Sequence, residues 1–315
     1  NGLFKDPRAE VLAEDGRNHL MATSKRYDMI NADLFLPYRS GTGSLYSLEH
    51  FRTARERLNP GGVFVQWLPL YQITEHEFGV IAHTMLEAFE HVTLWRNHFQ
   101  PENEVVALIG HVDRQGAGGE APGVRGQLAS FRSQVSELNP QLPSGLRPQD
   151  SALPSSQGSA LSSQPSDRLR AVQGARATDL PRVVLPVNEQ TIRLFYAGNL
   201  SGSRELFHKY PLNTDDRPVI EFGAPRTLRS AAAGTRPHFV GRQLADLVDA
   251  LLAATPPASD PMLAAQPPAA RHLPLAGAAF HRAWIAFAER DIEALEAHWD
   301  EFLQHWLASA ETGED

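Results

Sequence analysis

Four aspartates stand where a carboxylate could do chemistry. Asp33 closes the hydrophobic run YDMINADLF, Asp15 leads an Asp-Gly pair after AEVLAE, and Asp215 and Asp216 sit in LNTDDRP. A carboxylate at a strand end can accept hydrogen bonds, hold a cation or act as a general base. In open α/β sheets the carboxyl edge of the strands is where ligands bind. Each has a plainer reading too. Asp15-Gly16 is a common turn pair, Asp33 could cap the next turn or pair with Arg39, and Asp216 could pair with Arg217. Tyr46, Gln66 and Trp67 flank the same edge, where such groups line a pocket or pack sheet against helix.

Other chemistries are excluded by what the sequence lacks. With zero Cys there is no disulfide, no Cys-ligated zinc and no thiolate nucleophile. The 13 His include His76 and His83 seven apart on one helix and His91 and His98 across a strand, but no HExxH or three-ligand spacing. They are expected in the core or in solvent, with no metal. No G-x-S-x-G is present, and the GTG of GTGSLY lacks the spacing of a dinucleotide fingerprint. The net charge of −8 gives no basic stripe to replace counterions, so nucleic acid is not a partner, whereas a cationic small molecule is compatible.

The elements that must position these residues alternate short β-like runs with helical patterns over 1–111, the signature of βαβ units and a parallel sheet. Ala9 to Ala13 and Tyr27 to Phe35 read as strands. SLEHFRTARERL follows as a helix with Ser47 as N-cap and Leu48, Phe51, Ala54 and Leu58 at helical spacing. Asn59-Pro60-Gly61-Gly62 stops it, and GVFVQWLPL is the next strand. Thr74 and Glu77 form a capping box before EFGVIAHTMLEAF. HVTLWRNHF and EVVALIGH read as a closing antiparallel pair.

Residues 112–180, rich in Gly, Ser, Gln and Pro, bury too little apolar surface to offset their conformational entropy and read as a disordered insertion. Residues 181–226 continue the first domain, with a helix through NEQTIRLFYAGNLSGSRELFHKY, an irregular turn and a short strand at PVIEF. Residues 227–315 read as a helical region that ends in a tetratricopeptide-like hairpin about Asp291. No window approaches the roughly 18 residues of apolar span that a bilayer crossing needs, and no n-region plus h-region pattern of a signal peptide is read in these residues. The start at Asn1, inside a loop-like NGLFKDPR, predicts that the natural protein extends upstream.

Four blocks in order, DPRAEVLAEDGRNHL, YDMINADLFLP, GTGSLYSLEHF and LNPGGVFVQWLPLY, resemble the spermidine synthase (polyamine aminopropyltransferase) family. The likeness is to the bacterial branch fused to membrane or helical-repeat segments, and it resumes at LNTDDRPVIEF. It implies a partial class I methyltransferase-like Rossmann fold, α/β with a mostly parallel sheet, truncated at its N-terminus. It also implies decarboxylated S-adenosylmethionine as co-substrate with no permanently bound cofactor, and a polyamine as acceptor. A cytoplasmic location follows, with a parent that could be membrane-attached or membrane-fused; a homodimer is compatible.

Residue by residue, the resemblance makes Asp15 and Gly16 an adenine contact and Asp33 the catalytic base. Tyr46 and Gln66 would line the substrate pocket, and Asp215 and Asp216 could supply further carboxylates. The family pattern has a second aspartate where this chain has Leu36, which puts the diamine grip in doubt because a buried ammonium there would be poorly compensated. The blocks that hold the methionine and ribose parts of the co-substrate are not in this chain, so the fragment is expected to be inactive by itself. Two other readings stay open: an S-adenosylmethionine-dependent methyltransferase-like enzyme, and a non-catalytic ligand-sensing or interaction module of a transporter-fused protein.

Overall fold

The computed structural model describes residues 6–33, 35–113, 191–232, 234, 238–264 and 266–310. The insertion expected over 112–180 lies outside them from residue 114 onward, as do residues 181–190.

A five-stranded sheet runs in the order β1-β2-β4-β3-β5, with β1 Tyr27–Ala32, β2 Leu58–Pro69, β3 His91–Arg96, β4 Val105–His111 and β5 Tyr196–Asn199. The chain passes from β1 to β2 through α2 (Leu48–Glu56) and from β2 to β3 through α3 (Glu75–Ala88). Both helices start as their sequences predict. The Ser47 hydroxyl accepts from the His50 N–H at 3.3 Å, and Thr74 and Glu77 complete the reciprocal capping box. Helix α2 buries Leu48, Phe51 and Ala54 on one face.

The expected α/β class holds, but the sheet is not mostly parallel. Only β1 and β2 pair in parallel; β4 is antiparallel to β2 and to β3, and β5 is antiparallel to β3. The helical crossovers leave β1, β2 and β3 pointing the same way, as βαβ units must. The short connection 97–104 then turns β4 back to fill the space between β2 and β3, and this breaks up the parallel neighbours.

Three local expectations are corrected. Ala9 to Ala13 is not a strand: β1 is the sheet edge among the described residues, and Val11 and Leu12 are 55% and 50% exposed with no ladder to join. The helix expected through Tyr196 is instead β5, set between 3-10 turns at Thr191–Phe195 and Ser201–Leu206. All four β5 residues are buried, so their apolar pattern carries no period to separate strand from helix. The strand expected at PVIEF is the start of α4 (Val219–Ala232). Pro218 suits a helix start, and the Asn213 side-chain oxygen accepts from the Ile220 N–H at 3.0 Å, satisfying a first-turn donor.

The C-terminal region is helical as expected: α5 Arg242–Ala254, α6 His272–Glu289 and α7 Ile292–Ala310. Helices α6 and α7 form a hairpin that turns at Arg290, φ 62°, and Asp291 caps α7 by accepting from the Ala294 N–H at 3.1 Å. Alternation along β2 divides the core. Phe64 and Leu68 face α2, α3 and α5, where Leu244, Val248 and Leu251 join the same cluster. Val63, Val65 and Trp67 pack on the other face with Trp95 and Tyr196. No helix among the described residues is long and apolar enough to cross a membrane.

Candidate active site

The carboxyl edge of β1 and β2 carries the residues singled out above. Asp33 follows the last β1 residue and is exposed. Its neighbour Ala32 is in register with Gln66 on β2. Gln66 is fully buried. Its amide nitrogen donates to the Trp67 carbonyl at 3.1 Å, while its side-chain oxygen meets no hydrogen-bond partner among the described residues. The indole N–H of Trp67 donates to the Asn31 side chain at 3.0 Å, which braces β2 against β1.

Above this edge lies the loop between β1 and α2. Its glycines are needed for different reasons. Gly41 has φ 87°, in the left-handed region. A Cβ on Gly43 would fall 2.7 Å from the backbone of Glu221. That closeness lets the Glu221 carboxylate accept from the Gly41 N–H at 2.8 Å and from the Gly43 N–H at 3.0 Å. Asn213 fastens the same loop by donating to the Gly43 carbonyl at 2.9 Å, while its own backbone N–H donates to the Thr84 hydroxyl at 2.9 Å. The GTGSLY and LNTDDRPVIEF blocks therefore interlock in space. Tyr46 is buried here, donating to the Phe35 carbonyl at 3.4 Å with its ring edge-on to Phe35. Burial pushes its phenol pKa up, so it stays protonated. Leu36 is half-buried, and its carbonyl accepts from Thr42 at 2.9 Å.

Asp15 and Gly16 do not follow a strand. Asp15 caps α1 (Gly16–Ala22), accepting from the Asn18 N–H at 2.8 Å, and open space surrounds Gly16. Asp215 is engaged by Arg17, which also donates to the Ser44 carbonyl at 2.9 Å. Partial burial would raise the Asp215 carboxyl, but hydrogen bonds from Arg17 and Ser47 hold it below its ordinary value. Its backbone N–H donates to Glu49 at 3.0 Å. Asp216 is exposed beside it. Buried His50 lies within the field of Arg17, Asp215 and Asp15. Burial foremost, and then Arg17, lower its pKa to about 4, against opposing effects of the two aspartates.

The structure thus gathers Asp15, Arg17, Asp215 and His50 at the start of α2, and Asp33 with Gln66 at the ends of β1 and β2. Sequence reasoning missed Arg17, Asn213 and Glu221. All three lay within quoted blocks, Arg17 in DPRAEVLAEDGRNHL and the other two in LNTDDRPVIEF, so membership of a recognised block was the available signal.

A sheet with its first two strands parallel across a helical crossover, and an acidic strand end under a glycine loop, is the architecture of part of a methyltransferase-like α/β domain. Residues 1–95 match the family described as spermine/spermidine synthase domain, and this part of the chain is spermidine synthase-like. The polyamine aminopropyltransferase of Aeropyrum pernix is 38% identical over 94 residues, 29% of this chain and 30% of its own. The polyamine aminopropyltransferase 2 of Pseudomonas aeruginosa is 34% identical over 97 residues, covering 30% and 28%. That of Hyperthermus butylicus is 27% identical over 156 residues, 46% of this chain and 51% of its own. The chain therefore matches between 28% and 51% of these relatives' lengths.

Proposed function

We propose that this chain carries the acceptor-facing part of an aminopropyltransferase that moves an aminopropyl group from decarboxylated S-adenosylmethionine to a polyamine. The match of residues 1–95 to the spermine/spermidine synthase domain carries the reading. The position of Asp33 at the carboxyl end of β1 supports it. A primary amine has a pKa of about 10 and is a cation at neutral pH. It must lose a proton before it can attack. Asp33 holds the ammonium, takes the proton, and frees the nitrogen lone pair. The new C–N bond forms at the carbon beside the sulfonium as the C–S bond breaks, and its electron pair goes to sulfur, leaving a neutral thioether. Gln66 adds a buried carbonyl oxygen that a ligand N–H would satisfy.

Asp15 and Gly16 are the proposed adenine contact, with Tyr46 backing the loop over the pocket. Asp215 already has a cationic partner in Arg17, which leaves exposed Asp216 as the more available second carboxylate. With Leu36 in place of a carboxylate, the acceptor is expected to make fewer charged contacts at that end. The full-length protein, offered decarboxylated S-adenosylmethionine and a panel of di- and polyamines, should form methylthioadenosine. Asp33→Asn should cut kcat by about 10²–10⁴-fold, the usual worth of a general base, while co-substrate binding by calorimetry is kept. Absence of both turnover and methylthioadenosine binding overturns the proposal; transfer from S-adenosylmethionine itself would replace it with a methyltransferase.

A further inference from the structure

We propose that His83, Glu87 and His208 form a zinc site on the surface of α3. The ligating atoms of these three side chains lie within 4.8 Å of one another. His83 and Glu87 are one helical turn apart on α3, with the His83 Nε2 and a Glu87 carboxylate oxygen 3.9 Å apart. His208 comes from a different part of the chain, just after the 3-10 turn Ser201–Leu206, and its ring centre is 5.4 Å from that of His83.

The ring of His83 is already set for metal binding. Its Nδ1 is 2.6 Å from the Tyr210 carbonyl, which can only accept. The hydrogen of the neutral ring is therefore on Nδ1, and Nε2 keeps its lone pair, 3.9 Å from a Glu87 carboxylate oxygen. A histidine that donates its second ring N–H to a carbonyl is the common support of a ligating imidazole.

The segment that brings His208 is anchored on both sides. Before it, Arg204 donates to the carbonyls of Leu86, Phe89 and Glu90 at the end of α3, at 2.7, 3.0 and 3.0 Å. After it, the Tyr210 ring lies directly over Gly79, where a Cβ would overlap it, and its hydroxyl donates to Glu75 at 2.9 Å. Phe207 is buried against Phe78. His208 is thus held between packed neighbours, Phe207 directly before it and Tyr210 two residues after it.

Two imidazoles and one carboxylate suit a borderline divalent ion such as Zn²⁺, with water completing a tetrahedron. Tetrahedral metal–ligand bonds near 2.0–2.2 Å put ligand atoms about 3.4 Å apart, so side chains whose atoms lie within 4.8 Å of one another must draw closer to bind. Glu87 and His208 are exposed and can turn inward. The expected consequence is a clip between α3 and the 201–210 segment.

The test is a Zn²⁺ titration of chelator-stripped protein free of any histidine tag, followed by calorimetry, with Co²⁺ absorption as a reporter of tetrahedral geometry. One ion per chain should bind at this site, and Tm should rise with added zinc. His208→Ala and Glu87→Gln, both at exposed positions, should weaken binding at least tenfold and abolish the Tm shift. His91→Ala should change neither, although His91 lies in another acidic group with Glu90 and Asp113. The proposal is overturned if wild type shows no zinc binding, if His208→Ala binds as wild type does, or if His91→Ala is the variant that loses the ion.

Discussion

His50 and His111 are buried imidazoles that fold in the neutral state. Burial, followed by the nearby Arg17, lowers His50 to about 4; burial, followed by His91, lowers His111 to about 3. An imidazole in the unfolded chain titrates near 6.5. Between that value and the folded pKa the unfolded chain binds protons that the folded chain refuses. Stability is therefore full above about 6.5 and falls as pH drops toward 4. Glu104, raised to about 8 chiefly by burial, acts in the opposite sense: its contribution is present below the ordinary carboxylate range and is lost as pH rises through 8. His50 offers the cleaner test. Its Nδ1 has no partner among the described residues, and its ring packs edge-on to Phe64 at 6.0 Å. His50→Phe should keep the ring contacts and remove one titration. In urea unfolding at pH 7 and pH 5, the variant should lose about 2 kcal/mol less than wild type on acidification. Equal losses would mean that folding does not change the proton affinity of His50.

Among the elements, the clamp on the glycine loop is the feature most open to a single change. Gly43→Ala places a methyl group against Glu221 backbone, which cannot swing aside as a side-chain tip could. The cost should be about 1–3 kcal/mol of overpacking, read as a lower urea midpoint. Gly16→Ala should cost nothing and could gain up to about 1 kcal/mol, since a Cβ there meets open space at the start of a helix. Any loss of methylthioadenosine binding in Gly16→Ala would then report on the proposed adenine contact rather than on the fold.

The same contrast explains what the sequence made legible. Ser47, and Thr74 with Glu77, were readable because a cap is settled within four residues. The β3–β4 hairpin was likewise local, and Asp33 could be placed because it closes a strand. Leu36 and Asp215 show the other limit. A missing carboxylate is visible in the chain, but the capture of Asp215 by Arg17 joins positions 198 apart, and no local pattern carries that. The strand β5 and the start of α4 failed for a related reason: the first is buried on both faces, and the second depends on Asn213 reaching its first turn. The zinc ligands were hidden in the same way, because His208 joins His83 only through the tertiary path of the 201–210 segment.

On the scale of the whole molecule, the C-terminal helices are joined to the sheet through its core. Leu244, Val248 and Leu251 of α5 share a cluster with Phe64 and Leu94. Buried Glu104, just before β4, accepts from the Gly241 N–H ahead of α5 at 2.7 Å and is bonded to buried His281 on α6. Helix α6 also passes so close to the Thr191–Phe195 turn that a Cβ on Gly277 would overlap the Leu194 carbonyl. Breaking one of these attachments tests whether they make one cooperative unit. In wild type, amides of α6 and of β2–β4 should exchange hydrogen through the same global opening, with equal protection free energies. Gly277→Val forces α6 away from the turn, and in one cooperative unit the expected result is an equal loss of protection in α6, α7 and β2–β4. If α6 already exchanges faster than β3 and β4 in wild type, the helical region is a separate unit that only rests on the sheet. In that case Gly277→Val would change the stability of α6 and α7 alone and leave the unfolding midpoint of the sheet where it was.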